Sequence, residues 1–241
     1  MTTVGIIYPD HAAEDEYAVA AELLGVRLPV VHVYGTDLHA VPELRDLGSP
    51  ERLAGGAAAL AAHRPDSVMW ACTSGSFVYG YDGAQEQVDE LARVTGVPTS
   101  STSIAFVAAL TALGLSRVAV AASYPDDVAE HFVTYLAAAG IEVVAMGSAG
   151  ILTAAQVGLL GPAEVGALAT ARDHPDAEAL LVPDTAMRTL PVVPELEARV
   201  GKPVLTANQV TIWQGLRLAG ATPSSPSLGT LFTRRQDHAP E

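Results

Sequence analysis

The amino-acid sequence predicts an α/β protein built from two similar halves, each a mainly parallel sheet with helices on both faces. Short apolar runs alternate with longer Ala-rich runs along the 241 residues. Strands that are separated by helices of this length favour parallel sheets covered on both faces. A repeat in the sequence then favours two smaller sheets over one sheet of eight strands.

The strands are predicted from short runs that are mostly apolar, and the helices from the longer runs between them. The predicted strands are Val4–Tyr8, Val30–Tyr34, Ser67–Ala71, Val97–Ser100, Arg117–Ala122, Glu142–Met146, Ala179–Val182 and Pro203–Thr206. The predicted helices include Glu14–Leu24, Pro50–His63, Gln85–Val94, Asp126–Ala139, Pro162–Arg172 and Val210–Leu218.

Two landmarks recur in the same order along the chain. A Tyr-Pro-Asp triplet closes the first predicted strand at 8–10 and follows the fifth at 124–126. A Gly-x-Pro turn begins at Gly96 and again at Gly201, each time before a strand and a helix. Such a turn is common by itself, but the repeated order favours a duplicated α/β unit.

The repeat also predicts how the chain divides. The first half is predicted to comprise residues 1–113 together with a returning C-terminal segment, 207–241. The second half is predicted to comprise residues 114–206. Ligands of open α/β sheets bind beyond the carboxyl ends of the strands, so two facing halves would hold a site in the cleft between them.

The composition excludes several classes of partner. Thirteen Lys and Arg against 27 Asp and Glu give a net charge of −14, which argues against binding to nucleic acid or to an anionic membrane surface. The longest apolar stretch, 104–122, is broken by Gly114 and Arg117 and predicts a helix and a strand rather than a membrane span. The chain begins without a basic leader, so we expect a cytoplasmic protein.

Two residue types are nearly absent. Cys72 is the sole cysteine, which excludes an intrachain disulfide and any site built from several thiolates. Lys202 is the sole lysine and lies in a turn, a poor place for a Schiff base. The seven histidines lack metal-ligand spacing, so we expect no metal site. We expect most of them at the surface or at helix ends. His11 is a candidate for the border of the cleft.

The strongest local motif is Cys72 followed by Thr73, Ser74, Gly75 and Ser76 at a predicted strand end. Such a turn can direct amide N–H groups and hydroxyls at a small anion. The same groups would stabilise a thiolate and lower the pKa of the cysteine. The alternative is a buried structural cysteine followed by a polar loop.

The equivalent strand end in the second half carries Asp184 and Thr185. A carboxylate at this place could face the cleft. The alternative is a solvated aspartate that caps the following helix, which is very common. Tyr8 and Tyr124 end the strands of the Tyr-Pro-Asp repeat and are further candidates for the cleft.

These motifs together resemble a known family. Ala-Cys-Thr-Ser at 71–74, Ser-Tyr at 123–124 and the segments 190–197, 201–208 and 213–220 resemble the aspartate/glutamate racemase superfamily, in its maleate isomerase and arylmalonate decarboxylase branch. Within it, Trp-Ala-Cys-Thr-Ser-Gly-Ser-Phe-Val-Tyr-Gly at 70–80 and Val-Pro-Asp-Thr-Ala at 182–186 are similar to the ectoine-utilisation proteins called EutA.

The resemblance implies two pseudo-symmetric Rossmann-like domains, a site in the cleft and no cofactor. Racemases of this superfamily use two cysteines, one from each half, on opposite faces of the substrate. Cys72 matches the first of them, and the position of the second falls on Asp184. The resemblance makes Thr73, Ser74 and Tyr124 ligands of a substrate carboxylate.

We therefore expect a cofactor-independent isomerase or racemase that acts at a carbon next to a carboxylate, in the breakdown of ectoine or hydroxyectoine. Cys72 and Asp184 are the predicted catalytic residues, and Tyr8 and Thr185 join the predicted substrate ligands. The substrate is expected to be a small carboxylate or zwitterion. The sequence leaves open whether the protein forms a homo-oligomer. The alternatives are a decarboxylase, which is a C–C lyase like arylmalonate decarboxylase, and a non-catalytic protein that binds small carboxylates.

Overall fold

The computed structural model describes residues 1–233 and places eight parallel strands in two sheets. The strands are β1 (Val4–Pro9), β2 (Val30–Val33), β3 (Ser67–Trp70), β4 (Thr99–Ser101), β5 (Arg117–Ala122), β6 (Glu142–Ser148), β7 (Ala179–Val182) and β8 (Val204–Thr206). The first sheet has the order β2-β1-β3-β4, and the second has the order β6-β5-β7-β8. The two orders are the same once four is added to each strand number. The predicted fold class, with two similar α/β halves, is confirmed.

Helices connect the strands as expected for parallel pairing. They are α1 (Asp15–Leu24), α2 (Val41–Leu47), α3 (Pro50–Leu60), α4 (Ser74–Phe77), α5 (Gly80–Thr95), α6 (Thr102–Leu113), α7 (Asp126–Ala138), α8 (Ala154–Val157), α9 (Pro162–Thr170), α10 (Val193–Val200) and α11 (Ala207–Leu218). Single 3₁₀ turns lie at Ala61–His63, Leu190–Val192, Pro226–Leu228 and Thr230–Phe232.

The burial of the central strands explains why their sequences are continuous apolar runs. Strands β1, β3, β5 and β7 are buried along almost their whole length, whereas the edge strands β2 and β6 are half exposed. A parallel strand that is covered on both faces needs apolar residues at successive positions rather than at alternate ones. The strand bounds that differ most from the predicted ones, by two residues, are the start of β4 and the end of β6, which are both edge strands.

Helix α11 begins three residues earlier than its predicted start at Val210. Thr206 and Gln209 form a capping box, in which the Gln209 side chain accepts the Thr206 N–H at 3.0 Å. This cap makes α11 begin directly after β8. In the first half, Ser101 caps α6 directly after β4 by accepting the Ile104 N–H.

Helix α11 follows the last strand of the second sheet and packs against β1, β3 and α6 of the first. The Ser67 hydroxyl of β3 donates a buried hydrogen bond of 2.7 Å to the carbonyl of Gly215 in α11. The division of the chain into 1–113 with 207–241 and 114–206 stays a prediction, and its last residues, 234–241, lie outside the described residues. Among residues 1–233, none of the helices combines the length and the hydropathy that a membrane span needs.

The contact of α11 with the first sheet depends on a glycine. An added Cβ at Gly215 would overlap Val4 and lie 2.9 Å from Met69 Cγ, so Gly215→Ala is expected to lower the free energy of unfolding by about 1–3 kcal/mol. Gly55 in α3 is the matched control, because an added Cβ there meets no atom within 4 Å. Gly55→Ala is expected to raise the free energy of unfolding by up to about 1 kcal/mol. Urea denaturation measures the free energy of unfolding of both variants. Equal changes in the two would show that close packing at Gly215 is not the cause.

Candidate active site

Cys72 and Asp184 occupy equivalent places in the two halves. Each residue lies two positions beyond the end of a central strand, β3 for Cys72 and β7 for Asp184. Both line one cavity between the carboxyl ends of the two sheets, with a volume of about 30 Å³. A cavity of that size has room for about two water molecules. The structure therefore brings the two predicted catalytic residues together.

The Cys72 thiol is buried among small polar groups. Its Sγ accepts the N–H of Gly75 at 3.2 Å and lies 3.7 Å from the Ser74 hydroxyl oxygen. Burial nevertheless outweighs these donors and raises the pKa of the thiol to about 11, and the negative charge of Asp184 adds to the rise. The expectation of a lowered pKa was wrong, because the loop donors are weaker than the loss of solvent. Cys72 is a thiol before substrate binds.

The Asp184 carboxylate is buried and held by two donors. The Ser123 hydroxyl donates to Oδ2, and the Ala186 N–H donates to Oδ1 at 2.9 Å. Only 3% of Asp184 is exposed, and the next helical turn begins at Leu190. The alternative of a solvated aspartate capping the following helix is therefore wrong.

The two strand-end tyrosines donate to the main chain around Asp184. The Tyr8 hydroxyl donates to the Thr185 carbonyl at 2.8 Å, and the Tyr124 hydroxyl donates to the Pro183 carbonyl at 2.6 Å. Tyr8 and Thr185 line the cavity, whereas Tyr124 lies behind its wall. Both phenolic protons are thus used within the protein in this structure.

The predicted hydroxyl ligands are placed differently from one another. Ser74 lines the cavity beside Cys72. Thr73 does not line it, and its hydroxyl is buried close to the phenol of Tyr124. Within the described residues, that hydroxyl forms no hydrogen bond of regular geometry. The Thr73 hydroxyl therefore lies behind the lining of the cavity, beside the Tyr124 phenol.

His39 was not among the candidates, although it is buried just before the start of α2. Only 7% of His39 is exposed, and its ring lines the same cavity as Cys72 and Asp184. Its Nδ1 lies 3.0 Å from the Ile151 carbonyl oxygen, and its Nε2 lies 3.9 Å from Asp184 Oδ2. A single histidine in the loop after β2 has no periodicity or spacing that could have placed it here.

Loops from both halves meet over the cavity. Leu38 pairs with Thr153 in an antiparallel bridge, the His39 N–H donates to the Leu152 carbonyl at 2.8 Å, and the Ala154 N–H donates to the Asp37 carbonyl at 2.9 Å. These backbone bonds join the loop after β2 to the loop after β6. Residues 36–39 and Ala154 of the two joined loops line the cavity.

The charged residues that line the cavity are acidic. Asp10, Asp37 and Asp184 contribute carboxyl groups, and in residues 1–233 neither a lysine nor an arginine lines it. A dianionic substrate would meet repulsion in such a site. A substrate with a cationic centre would be attracted, so the lining favours zwitterions.

A buried hydrogen-bond network around the start of α11 supports the site. The Asn208 amide donates to the Thr185 carbonyl at 3.1 Å and to Glu16 Oε2 at 2.8 Å, and it accepts from the Tyr17 hydroxyl at 3.0 Å. Glu16 also accepts the N–H of Leu190 at 2.7 Å, which links the two halves. Burial raises the pKa of Glu16 to about 7.

His11 lies near the cleft but does not line the cavity. Its Nδ1 is 2.6 Å from Glu14 Oε1, and the Nε2 of His32 is 3.7 Å from the same oxygen. The three ligand atoms are close enough together to share a metal ion. The expectation that the protein has no metal site stays a prediction.

Comparison with known proteins identifies the family of this chain. The sequence profile described as arylmalonate decarboxylase matches residues 48–232. The chain belongs to the arylmalonate decarboxylase family. Arylmalonate decarboxylase of Bordetella bronchiseptica is 32% identical over 141 residues, which are 57% of this chain and 59% of that relative. The aligned region thus spans less than two thirds of the curated relative.

Solved structures of this family and of maleate isomerases share the fold. A liganded arylmalonate decarboxylase variant, with one glycine changed to cysteine and one cysteine changed to serine, has a TM-score of 0.85 at 27% identity and covers 96% of this chain and 99% of that one. A cysteine-to-alanine variant of maleate isomerase of Pseudomonas putida, with maleate, has a TM-score of 0.89 at 22% identity and covers 96% of this chain and 97% of that one. A cysteine-to-serine variant of maleate cis-trans isomerase of Nocardia farcinica, with a covalent succinylcysteine intermediate, has a TM-score of 0.88 at 22% identity and covers 97% and 99%. At 22% identity the isomerase structures show the fold alone.

The buried thiol leads to a prediction about its ionisation. At pH 9.0, the ordinary pKa of a thiol, native Cys72 is expected to be about 1% ionised because its pKa is raised to about 11. The far-ultraviolet absorbance of the thiolate measures this, with Cys72→Ser as the blank. The same protein unfolded in denaturant should be about half ionised at that pH. A native thiol that is half ionised at pH 9.0 would contradict the burial argument.

Proposed function

We propose that the protein is a cofactor-independent enzyme that isomerises or racemises a substrate at a carbon next to a carboxylate. The observation that carries this proposal is the position of Cys72 and Asp184 at equivalent strand ends in one cavity. Two groups that can move protons, delivered from opposite halves, can address the two faces of one carbon. The fold shared with maleate isomerases supports the same class of reaction.

Cys72 carries the first role. As a thiol it can give a proton to a carbanion-like carbon, and as a thiolate it can attack an alkene carbon. The succinylcysteine intermediate of the Nocardia isomerase is an instance of the second route in a protein of this fold. The Gly75 N–H and the Ser74 hydroxyl would stabilise the sulfur as it gains charge.

Asp184 and its acidic neighbours bear on the choice of substrate. With Asp10 and Asp37 they favour a substrate that carries a cationic centre beside its carboxylate. An ectoine-like zwitterion, with an amidinium ring and a carboxylate, has this charge pattern. The likeness of segments 70–80 and 182–186 to ectoine-utilisation proteins supports a role in ectoine or hydroxyectoine breakdown, and we place the enzyme in the cytoplasm on that account.

Decarboxylation is the second candidate, and the family relationship favours it specifically. The profile and the curated relative are both described as arylmalonate decarboxylase. A cysteine that protonates an enediolate could serve after loss of carbon dioxide as well as after loss of a proton. Three carboxyl groups in the cavity disfavour a malonate, which brings two negative charges. A binding protein without turnover is the third candidate.

Hydrogen exchange separates these candidates. Wild-type protein in deuterated water is expected to exchange or epimerise the α-hydrogen of ectoine-like zwitterions without release of carbon dioxide. Cys72→Ser is expected to slow exchange by about 10²–10⁴-fold, the usual contribution of one proton-transfer group. Proton NMR follows exchange, and headspace analysis follows carbon dioxide with phenylmalonate as the decarboxylase substrate. Activity that survives Cys72→Ser would refute this role, and tight binding without exchange would favour the binding protein.

The charge of Asp184 is tested by an isosteric change. Asp184→Asn keeps the shape of the side chain and the acceptor for the Ala186 N–H but removes the charge. The preference for a zwitterion over a dicarboxylate, measured as a ratio of kcat/KM values, is expected to fall at least about tenfold, because one nearby unit charge contributes more than about 1.4 kcal/mol in a closed site. Glu164→Gln, on the exposed start of α9, is the charge-matched control. An unchanged ratio in Asp184→Asn would show that this carboxylate does not select substrate charge.

A further inference from the structure

The contacts of His39 fix which of its ring nitrogens is free. A carbonyl oxygen can only accept a hydrogen bond, so the nitrogen that lies 3.0 Å from the Ile151 carbonyl must carry a hydrogen. That nitrogen is Nδ1. In the neutral imidazole, Nε2 therefore has no hydrogen and presents its lone pair. This is the nitrogen near Asp184.

The ring of His39 is held in place on several sides. Its own N–H donates to the Leu152 carbonyl at 2.8 Å, so the backbone and the side chain are anchored to the same loop of the second half. The edge of the ring meets Tyr124, with ring centroids 5.0 Å apart and planes at 86°. These contacts fix the position of the ring relative to Tyr124 and to the loop of the second half.

The groups that face His39 suit proton transfer. Asp184 Oδ2 lies 3.9 Å from Nε2, Tyr124 packs on the ring, and Cys72, Asp10 and Asp37 line the same cavity. A proton on Nε2 would produce the cation that balances the acidic lining. The Asp184 carboxylate is itself held in place by hydrogen bonds from the Ser123 hydroxyl and the Ala186 N–H.

We propose that His39 is the second proton-transfer group of this site, with Asp184 as its counter-ion. This inference rests on the proposed function and changes it in one respect. The role of the second cysteine in the racemases passes to a His–Asp pair whose members come from different halves. Asp184 then acts through His39 rather than on the substrate.

The proton balance of the step is complete within the site. Nε2 of His39 takes the α-hydrogen as a proton, and the electron pair of the C–H bond moves into the carboxyl group to form an enediolate. The Cys72 thiol gives its proton to the carbon, which leaves a thiolate and an imidazolium. The imidazolium then returns its proton to the thiolate through water, and no external reactant is consumed.

Two substitutions at position 39 separate chemistry from anchoring. His39→Asn keeps an amide N–H that can reach the Ile151 carbonyl, but it has no group that accepts a proton. We expect the exchange rate to fall by about 10²–10⁴-fold with KM changed by less than about tenfold and the thermal midpoint unchanged. In His39→Ala, added imidazole is expected to restore part of the exchange rate. His63→Asn, in the turn after α3, is the matched control and should keep the wild-type rate.

The outcomes that would overturn the proposal are distinct. A wild-type exchange rate in His39→Asn would show that His39 only anchors the loop. Loss of folding in His39→Ala together with an active His39→Asn would show the same. A fall in rate for both variants with no response to imidazole, while KM rises by the same factor, would assign His39 to substrate binding instead.

A substrate-free measurement keeps this inference separate from the proposed function. The ¹⁵N spectrum of histidine-labelled protein in mildly alkaline solution is expected to show His39 protonated on Nδ1 and bare on Nε2. The opposite tautomer would overturn the proposal whatever the substrate. If the wild-type protein exchanges no carboxylate but shows the expected tautomer, the proposed function fails and the geometry of His39 stands.

Discussion

A thiol and a carboxylate share one desolvated cavity, and the organisation of the site depends on how their charges are accommodated. Two anions there would repel each other strongly in the absence of solvent. The protein avoids this by keeping Cys72 protonated and by surrounding Asp184 with the Ser123 hydroxyl and the Ala186 N–H. The imidazole of His39 lines the same cavity, with Nε2 3.9 Å from Asp184 Oδ2. The proposed proton transfer would convert the thiol and the imidazole into a thiolate and an imidazolium beside that carboxylate.

The two halves contribute unequally to this arrangement although their sheets have the same order. The first half supplies the thiol and the imidazole, and the second supplies the carboxylate and the loop that anchors the imidazole. Glu16 and Asn208 join the halves beneath the site through buried hydrogen bonds to Leu190 and to the Thr185 carbonyl. Since a buried carboxylate with unpaired oxygens would be costly, these bonds hold the halves in one relative position. The cavity can then be small and still bring groups from both halves within a few ångströms.

The sequence was sufficient to predict the fold and about half of the residues of the site. Apolar runs in strands that are covered on both faces, and the rule that ligands bind at carboxyl strand ends, placed Cys72 and Asp184 correctly in one cavity. The predicted direction of the Cys72 pKa shift was wrong. The donors next to the thiol are visible in the sequence, but the burial that outweighs them depends on the other half of the chain. His39 was missed for the same reason, since its place is set by a backbone bridge to Leu152 far along the sequence. The partners of Tyr8 and Tyr124 also lie in distant segments.

Those two tyrosines have a consequence for how this protein could change its chemistry. Both phenols bond to peptide carbonyls on either side of residue 184 and neither bonds to its side chain. The backbone there is thus held by neighbours that do not depend on which amino acid occupies the position. A carboxylate, a thiol or an amide introduced by mutation would be delivered to the same place, while Cys72 and the sheet ends stayed where they are. A single substitution at position 184 can therefore alter the acid, the base or the charge that a substrate meets, while the fold stays the same.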